Sequence, residues 1–171
     1  MAIEAALAFG GNIGDPVAAF AAALKSLRDD PAVRLGPLSS IYRTPPWGKT
    51  DQPEFLNMAA LVETTLTADE LLALCLALER AGGRERRERW GPRTLDIDIL
   101  TYGEAAIDRP GLQIPHPRLA ARAFVLAPLA QILPRHRIGG TSVADLLAAA
   151  AEETIRRDEA ATARLGELLA G

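Results

Sequence analysis

Three observations predict an α+β fold, a mostly antiparallel sheet with helices packed on it in the ferredoxin-like manner, in a single domain over residues 1–171. Apolar segments follow in the order strand, helix, strand, strand, helix, strand, which is the split β-α-β pattern. At 171 residues the chain is long enough to bury one core and short for two. No internal repeat with a period of about 20 to 50 residues interrupts that order.

Ile3 to Phe9 forms the first expected strand, ended by Gly10-Gly11-Asn12. Asp15-Pro16 then supplies an N-cap acid and a proline at the first helical position, and Val17, Phe20, Ala21, Leu24 and Leu27 recur at helical spacing. Val33 to Tyr42 is a second extended segment. RTPPWGKTDQPEF, from Arg43 to Phe55, is a loop, because three prolines and a glycine deny it a regular ladder, and a loop of that length in a compact domain points to function or disorder. Leu56 to Thr64 returns as a strand, and Thr67 with Glu70 makes a capping box for a helix facing the core with Leu71, Leu74, Cys75 and Leu78. Gly82-Gly83 stops that helix. Leu95 to Tyr102 is a strand, Leu112 to Ile114 a short extended piece, and Arg122 to Ile132 and Val143 to Ala151 are helices. The Ala-rich end, with Glu152-Glu153 and Arg156-Arg157, reads as a solvated surface helix or a frayed tail after about residue 150.

Composition narrows the class. With 49% apolar residues and a net charge of −3, neither disorder nor wholesale nucleic-acid binding is indicated, so any basic site is local. Cys75 is the single cysteine, which excludes an internal disulfide; within LLALCLALE it is a small buried hydrophobe, in keeping with a reducing cytosol. No basic stretch precedes the apolar run of MAIEAALAFGG, and no segment approaches roughly 18 uninterrupted apolar residues, so a soluble, cytoplasmic protein without a membrane span is expected.

The chemistry concentrates in RERRERWGPRTLDIDIL, residues 84–100. Side chains alternate along a strand, so Leu95, Ile97 and Ile99 share one face while Asp96 and Asp98 share the other. Carboxylates two residues apart lie about 6.5 to 7 Å from each other and repel by about 2 kcal/mol at an effective dielectric near 20, so a cation is expected between them. Mg²⁺ suits such a pair, since it takes one or two protein carboxylates and completes its shell with water and substrate phosphates. The plainer alternative is a solvated strand face whose acids pair with nearby arginines.

Arg80, Arg84, Arg86, Arg87, Arg89 and Arg93 crowd the preceding stretch, where glycines and Gly91-Pro92 favour a loop. Guanidinium forks match phosphate oxygens and stay charged at any accessible pH. Arginines on one side and paired acids on the other suit a polyphosphate carrying Mg²⁺, the alternative being a basic surface or nucleic-acid patch. Trp90 is read either as packing a loop hinge or as a nucleotide-pocket wall. GGNIGDP lacks the P-loop and dinucleotide spacings and is a weak phosphate signal. His116 is read as a phosphate contact or a turn cap, His136 as near the surface, and the scattered His and Cys make a zinc site unexpected.

Four stretches in order, SSIYRTPPWG, DQPEFLNMAALVET, GRERRERWGPRTLDIDIL and IPHPRLAARAFVLAPL, resemble the 6-hydroxymethyl-7,8-dihydropterin pyrophosphokinase family over roughly residues 3–135. Gly11 departs from the serine usual in the family's first turn. The resemblance implies transfer of the β,γ-diphosphate of ATP to the hydroxymethyl oxygen of a reduced pterin, releasing AMP, in tetrahydrofolate biosynthesis. It implies two Mg²⁺ ions on Asp96 and Asp98. It places the pterin near Asn12, Thr44, Pro45, Trp47, Phe55, Asn57 and Phe124, and ATP near Glu79, Arg86, Arg89, Trp90, Arg93, Ile99, His116 and Arg122. A flat heterocycle with polar edges needs aromatic faces and an amide, which the Pro-rich loop and the Leu56-Asn57-Met58 segment supply.

In-line attack on phosphorus asks for positioning and charge stabilisation more than covalent chemistry, so Arg93 and Arg86 are expected to neutralise developing charge alongside Asp96 and Asp98. No residue stands out as a general base, Asp98 or a water being the candidates. The partners expected are small molecules, pterin and ATP, with no nucleic acid, no membrane and a monomeric state. Two rivals remain. An RNA-binding module would put stacking aromatics on the exposed strand face, where this chain offers acids. A nucleotidyl transferase would release pyrophosphate rather than AMP.

Overall fold

The structure is a computed structural model that describes residues 1–45, 51–82, 94–150 and 155–171. Strand β1 (Ile3–Gly11) leads into helix α1 (Pro16–Asp29), whose N-cap Asp15 accepts a hydrogen bond from the Ala18 N–H at 3.2 Å. Strands β2 (Val33–Leu38), β3 (Tyr42–Thr44) and β4 (Phe55–Thr64) follow, then helix α2 (Ala68–Ala81) and strand β5 (Asp96–Tyr102). The Thr67/Glu70 capping box is formed in both directions, and Gly82 caps the other end of α2.

β1 lies between β4 and β5 and is antiparallel to both. β2 and β3 pair antiparallel with the far side of β4. β4 therefore separates β1 from β2, the split β-α-β arrangement that the order of elements predicts. The expected single segment 33–42 is divided into β2 and β3. Pro37 has no N–H for a ladder, the register shifts between Leu35 and Leu38, and Ser39 accepts the Ala59 N–H through its hydroxyl at 2.8 Å instead.

Two apolar layers flank the sheet. On one face Leu7, Phe9, Met58, Val62, Ile97 and Ile99 pack with Phe20 and Leu24 of α1 and Leu71 and Cys75 of α2. On the other, Ala6, Leu61 and Leu100 pack with Leu126 and Leu129 of helix α3 (Ala123–Ile132) and Val143 of helix α4 (Val143–Ala149). Alternation along β5 puts Ile99 in the first layer and Leu100 in the second, and the extra residue at Leu100, where the register shifts opposite Ala6 and Leu7, pairs Thr101 with Ala6 on that second side.

The expected short extended piece 112–114 is one arm of a hairpin, and a second hairpin follows. β6 (Ile107–Arg109) pairs with β7 (Leu112–Ile114) across Pro110-Gly111, where Gly111 adopts φ +84°. β8 (Arg137–Ile138) pairs with β9 (Thr141–Ser142).

The chain's end is a helix, one of the two expected alternatives, but one docked on the core rather than solvated. Strand β10 (Arg156–Arg157) extends the sheet beyond β3, and helix α5 (Glu159–Ala170) buries Ala161 and Leu165 in the first layer. Polar contacts fix it further: Arg164 meets the Asp15 carboxylate bidentately, and Arg28 donates to the Leu169 carbonyl at 3.0 Å. Among the described residues no helix is long and apolar enough to cross a membrane.

Candidate active site

Residues directly paired on neighbouring strands point to the same face. The register therefore places Asp96 of β5, Gly10 of β1, Asn57 of β4 and Tyr42 of β3 in one row across the sheet. Asp98, Ala8 and Ala59 form the next row. With strands about 4.8 Å apart, Asn57 stands about 10 Å from Asp96, and Gly10 is the floor between them. The face is the one that α3 and α4 cover further along. At this end Asp98 is exposed and Asp96 and Asn57 are half-buried.

Around Asn57 a polar and aromatic wall is assembled. Its side-chain amide donates to the Thr44 hydroxyl at 3.0 Å, and Phe55, paired with Thr44, is half-buried beside it. Pro45 follows, exposed. Asn12 is buried, and its amide donates to the Gln52 side-chain oxygen at 2.8 Å and to the Pro53 carbonyl at 3.0 Å. It thus ties the turn after β1 to the chain entering β4.

On the other side of the acids lies a cavity of ≈ 630 Å³ between β5 and the β6–β7 hairpin, lined among others by Asp98, Ile99, Arg109, Gln113 and His116. The His116 N–H donates to the Leu100 carbonyl at 3.1 Å, and its ring Nδ1 accepts from the Arg118 N–H at 3.3 Å. Burial pushes the imidazole below its ordinary value; the Asp98 carboxylate opposes this, and Arg122 and Arg118 reinforce it. The Arg122 guanidinium lies over the Phe124 ring, 5.5 Å from its centroid.

Glu79 is set behind β5. It is 4% exposed, and its carboxylate accepts the Ile97 N–H at 2.7 Å. It is not among the described residues lining the cavity. Cys75 is inert: burial, with Glu79 and Asp98 nearby, pushes its thiol up to about 12.

The structure thus gathers Asp98, Ile99 and His116 at one cavity, and Thr44, Phe55 and Asn57 on one wall, with Asp96 in the row that joins them. Arg122 and Phe124 stack on each other. Trp47, Arg86, Arg89, Trp90 and Arg93 lie outside the described residues. Sequence reasoning passed over Gln52, Arg109 and Gln113. The turn signal Arg109-Pro110-Gly111 could have disclosed the hairpin that carries the last two.

A divalent cation fits the donor set. Among the described residues no group of three or more His, Cys, Asp or Glu is placed to hold a metal. Two strand carboxylates on an open face are what Mg²⁺ uses when phosphates and water complete its shell.

The chain matches the family model for 7,8-dihydro-6-hydroxymethylpterin-pyrophosphokinase (HPPK) over residues 6–134. A Methylorubrum extorquens protein named 2-amino-4-hydroxy-6-hydroxymethyldihydropteridine pyrophosphokinase is 47% identical over 156 residues, covering 91% of this chain and 99% of its own. A Pseudomonas aeruginosa protein of the same name is 43% identical, covering 88% and 94%. Among solved structures, a crystal structure of HPPK-DHPS in complex with substrates shares the fold with a TM-score of 0.69 at 14% identity, covering 92% of this chain and 48% of that one. Wild-type HPPK-DHPS of Plasmodium falciparum gives the same TM-score and identity, covering 86% and 44%. This chain spans about half the length of those solved chains. The family match and the two full-length bacterial relatives together place it: the chain belongs to the 7,8-dihydro-6-hydroxymethylpterin-pyrophosphokinase family.

Proposed function

We propose that this chain transfers the β,γ-diphosphate of ATP to the hydroxymethyl oxygen of 6-hydroxymethyl-7,8-dihydropterin, a step of tetrahydrofolate biosynthesis in the cytoplasm. The observation that carries the reading is the row Asp96, Gly10, Asn57, with an amide wall on one side of the acids and a cavity on the other. A flat heterocycle at the wall and a nucleotide in the cavity would meet above the two carboxylates.

In the reaction the pterin hydroxymethyl oxygen bonds to the β-phosphorus, the bond from that phosphorus to the α-phosphate bridging oxygen breaks, AMP leaves, and the hydroxyl proton is released. Asn57, held by Thr44, orients the edge of the pterin, and Phe55 and Phe124 offer apolar faces. His116 Nδ1 is engaged as an acceptor, so Nε2 carries the hydrogen and donates to a phosphate oxygen. Ile99 and Arg122 complete the nucleotide side. Asp96 and Asp98 would hold Mg²⁺, two ions in this reading, which when bound offset phosphate charge. Arg86, Arg89, Trp90 and Arg93 are assigned to ATP, and Asn12, Pro45 and Trp47 to the pterin, by family resemblance. The chain acts as a monomer on small molecules in this reading.

The test is incubation of the purified chain with ATP, Mg²⁺ and the pterin, followed by chromatography of the nucleotides. AMP and pterin diphosphate are expected in equal amounts, with Asp98→Ala nearly inactive. Release of ADP or pyrophosphate instead would refute the reading, and near-normal turnover by Asp98→Ala would remove the metal assignment.

A further inference from the structure

The C-terminal strand lies beyond the residues matched by the family model, yet it grips both ends of the segment between β3 and β4. Arg156 and Arg157 pair in register with Arg43 and Tyr42. The backbone is fastened again just past the Arg157–Tyr42 end of that pairing, at Ile41. The Asp158 N–H donates to the Ile41 carbonyl at 2.8 Å, and the Ile41 N–H donates to the Thr162 hydroxyl at 2.9 Å.

Two ion pairs then reach the ends of the loop. Arg43 donates through Nε to the Asp158 carboxylate, whose side chain is only 12% exposed. Arg156 donates bidentately to Glu54, at 2.9 and 3.1 Å. Arg43 directly precedes Thr44, and Glu54 directly precedes Phe55, so each gripped residue is the chain neighbour of a wall residue. Alternation along β3 puts Arg43 on the face opposite Thr44, so the grip does not obstruct the wall. The four charges alternate in sign and act on one another: Arg156 and Arg43 both favour the ionised Glu54 carboxylate, and both also favour that of Asp158.

We infer that Arg156 and Asp158 are positioning residues of the pterin site, holding Thr44 and Phe55 at the separation that the heterocycle requires. The inference rests on the proposed function and deepens it. Neither residue touches substrate; both act through the two ends of the β3–β4 connection. The bidentate Arg156–Glu54 pair matters because two parallel hydrogen bonds fix an angle as well as a distance.

Steady-state kinetics of Arg156→Gln, Glu54→Gln, the double variant and Asp158→Asn tests this, with each substrate varied in turn. Each single change is expected to raise the KM for the pterin about fivefold, the scale of one well-made ion pair. The KM for ATP and kcat should stay within about twofold, and the Arg156/Glu54 double variant should be no worse than either single one. A general loss of structure would move both KM values together, and independent roles would make the double variant additive; either result overturns the inference. Should Arg156→Gln fail to fold, Arg156→Lys is measured in its place and should raise the pterin KM by a smaller factor, with no rise counting against the inference. A wild-type chain that forms no AMP removes the underlying reading. A wild type that turns over, with a pterin KM untouched by Arg156→Gln, removes this inference alone.

Discussion

The Glu79 carboxylate accepts the N–H of Ile97, the residue between the two aspartates, at 2.7 Å. β5 ends the sheet among the described residues, so an outward N–H at Ile97 has no further strand to bond. A buried acid from α2 takes that place, and in doing so fixes the backbone between Asp96 and Asp98. The bond thereby ties α2 to the strand segment that carries the two carboxylates.

Glu79→Ala should therefore cost more than its lost packing. The Ile97 amide would be buried without its acceptor, a loss of about 1 to 3 kcal/mol in unfolding free energy measured with denaturant. Glu79→Gln keeps a carbonyl oxygen for the amide and should lose less. In the AMP assay, at a temperature where both variants are folded, Glu79→Ala should also show a lower kcat than Glu79→Gln. Equal kcat in the two would separate Glu79 from the acid pair.

Gly10 governs the distance between the acids and Asn57. A Cβ built there would come 3.2 Å from Asn57 Oδ1, tighter than most real contacts, and Asn57 is tethered to Thr44. Gly10→Ala is compatible with the strand backbone, and reduced freedom of the unfolded chain would favour the folded state by about 0.4 to 1 kcal/mol, against the cost of the contact. The melting temperature should thus change little while Asn57 shifts by a few tenths of an ångström. A higher pterin KM with an unchanged ATP KM is the expected signature. If pterin KM were unaffected, Asn57 would not be reading the heterocycle.

These two relationships mark what the chain's own letters conceal. Local features were legible: Asp15-Pro16 and the Thr67/Glu70 box start α1 and α2 where the sequence places them, and strand alternation puts Asp96 and Asp98 on one face. Each depends on neighbours within about four residues. The row joining Asp96 to Asn57 depends on the register of three strands, which no local spacing encodes. Glu79 finds Ile97 eighteen positions away, and Arg156 finds Glu54 across 102. The docking of the C-terminal helix was disguised by alanine: Ala161 and Leu165 form its buried stripe, a weak apolar signal beside the charges that surround it. Pro37 was the one local signal available for the break between β2 and β3, and the apolar residues on either side of it outweighed it.

The docking of that last helix should be visible in acid. Hydrogen bonds from Arg164, then from the Ala18 N–H, hold the Asp15 carboxyl down to about 2, against 3.8 for the ordinary group. A folded-state value below the unfolded one means that the stabilisation is complete above about 3.8 and is lost as pH falls from there toward about 2. Both side chains are about half exposed, so solvent screening limits the effect to about 1 kcal/mol or less. Asp15→Asn keeps a capping oxygen for α1 but discards the charge. Its deficit against the wild type, read from urea unfolding, should be largest near neutral pH and should shrink steadily as the acid limb is descended. Asp15→Ala loses the cap as well, and should carry a further loss of about 1 kcal/mol that persists at every pH. A deficit in Asp15→Asn that stayed constant down to about pH 2 would mean that the Asp15 charge does not couple α5 to α1.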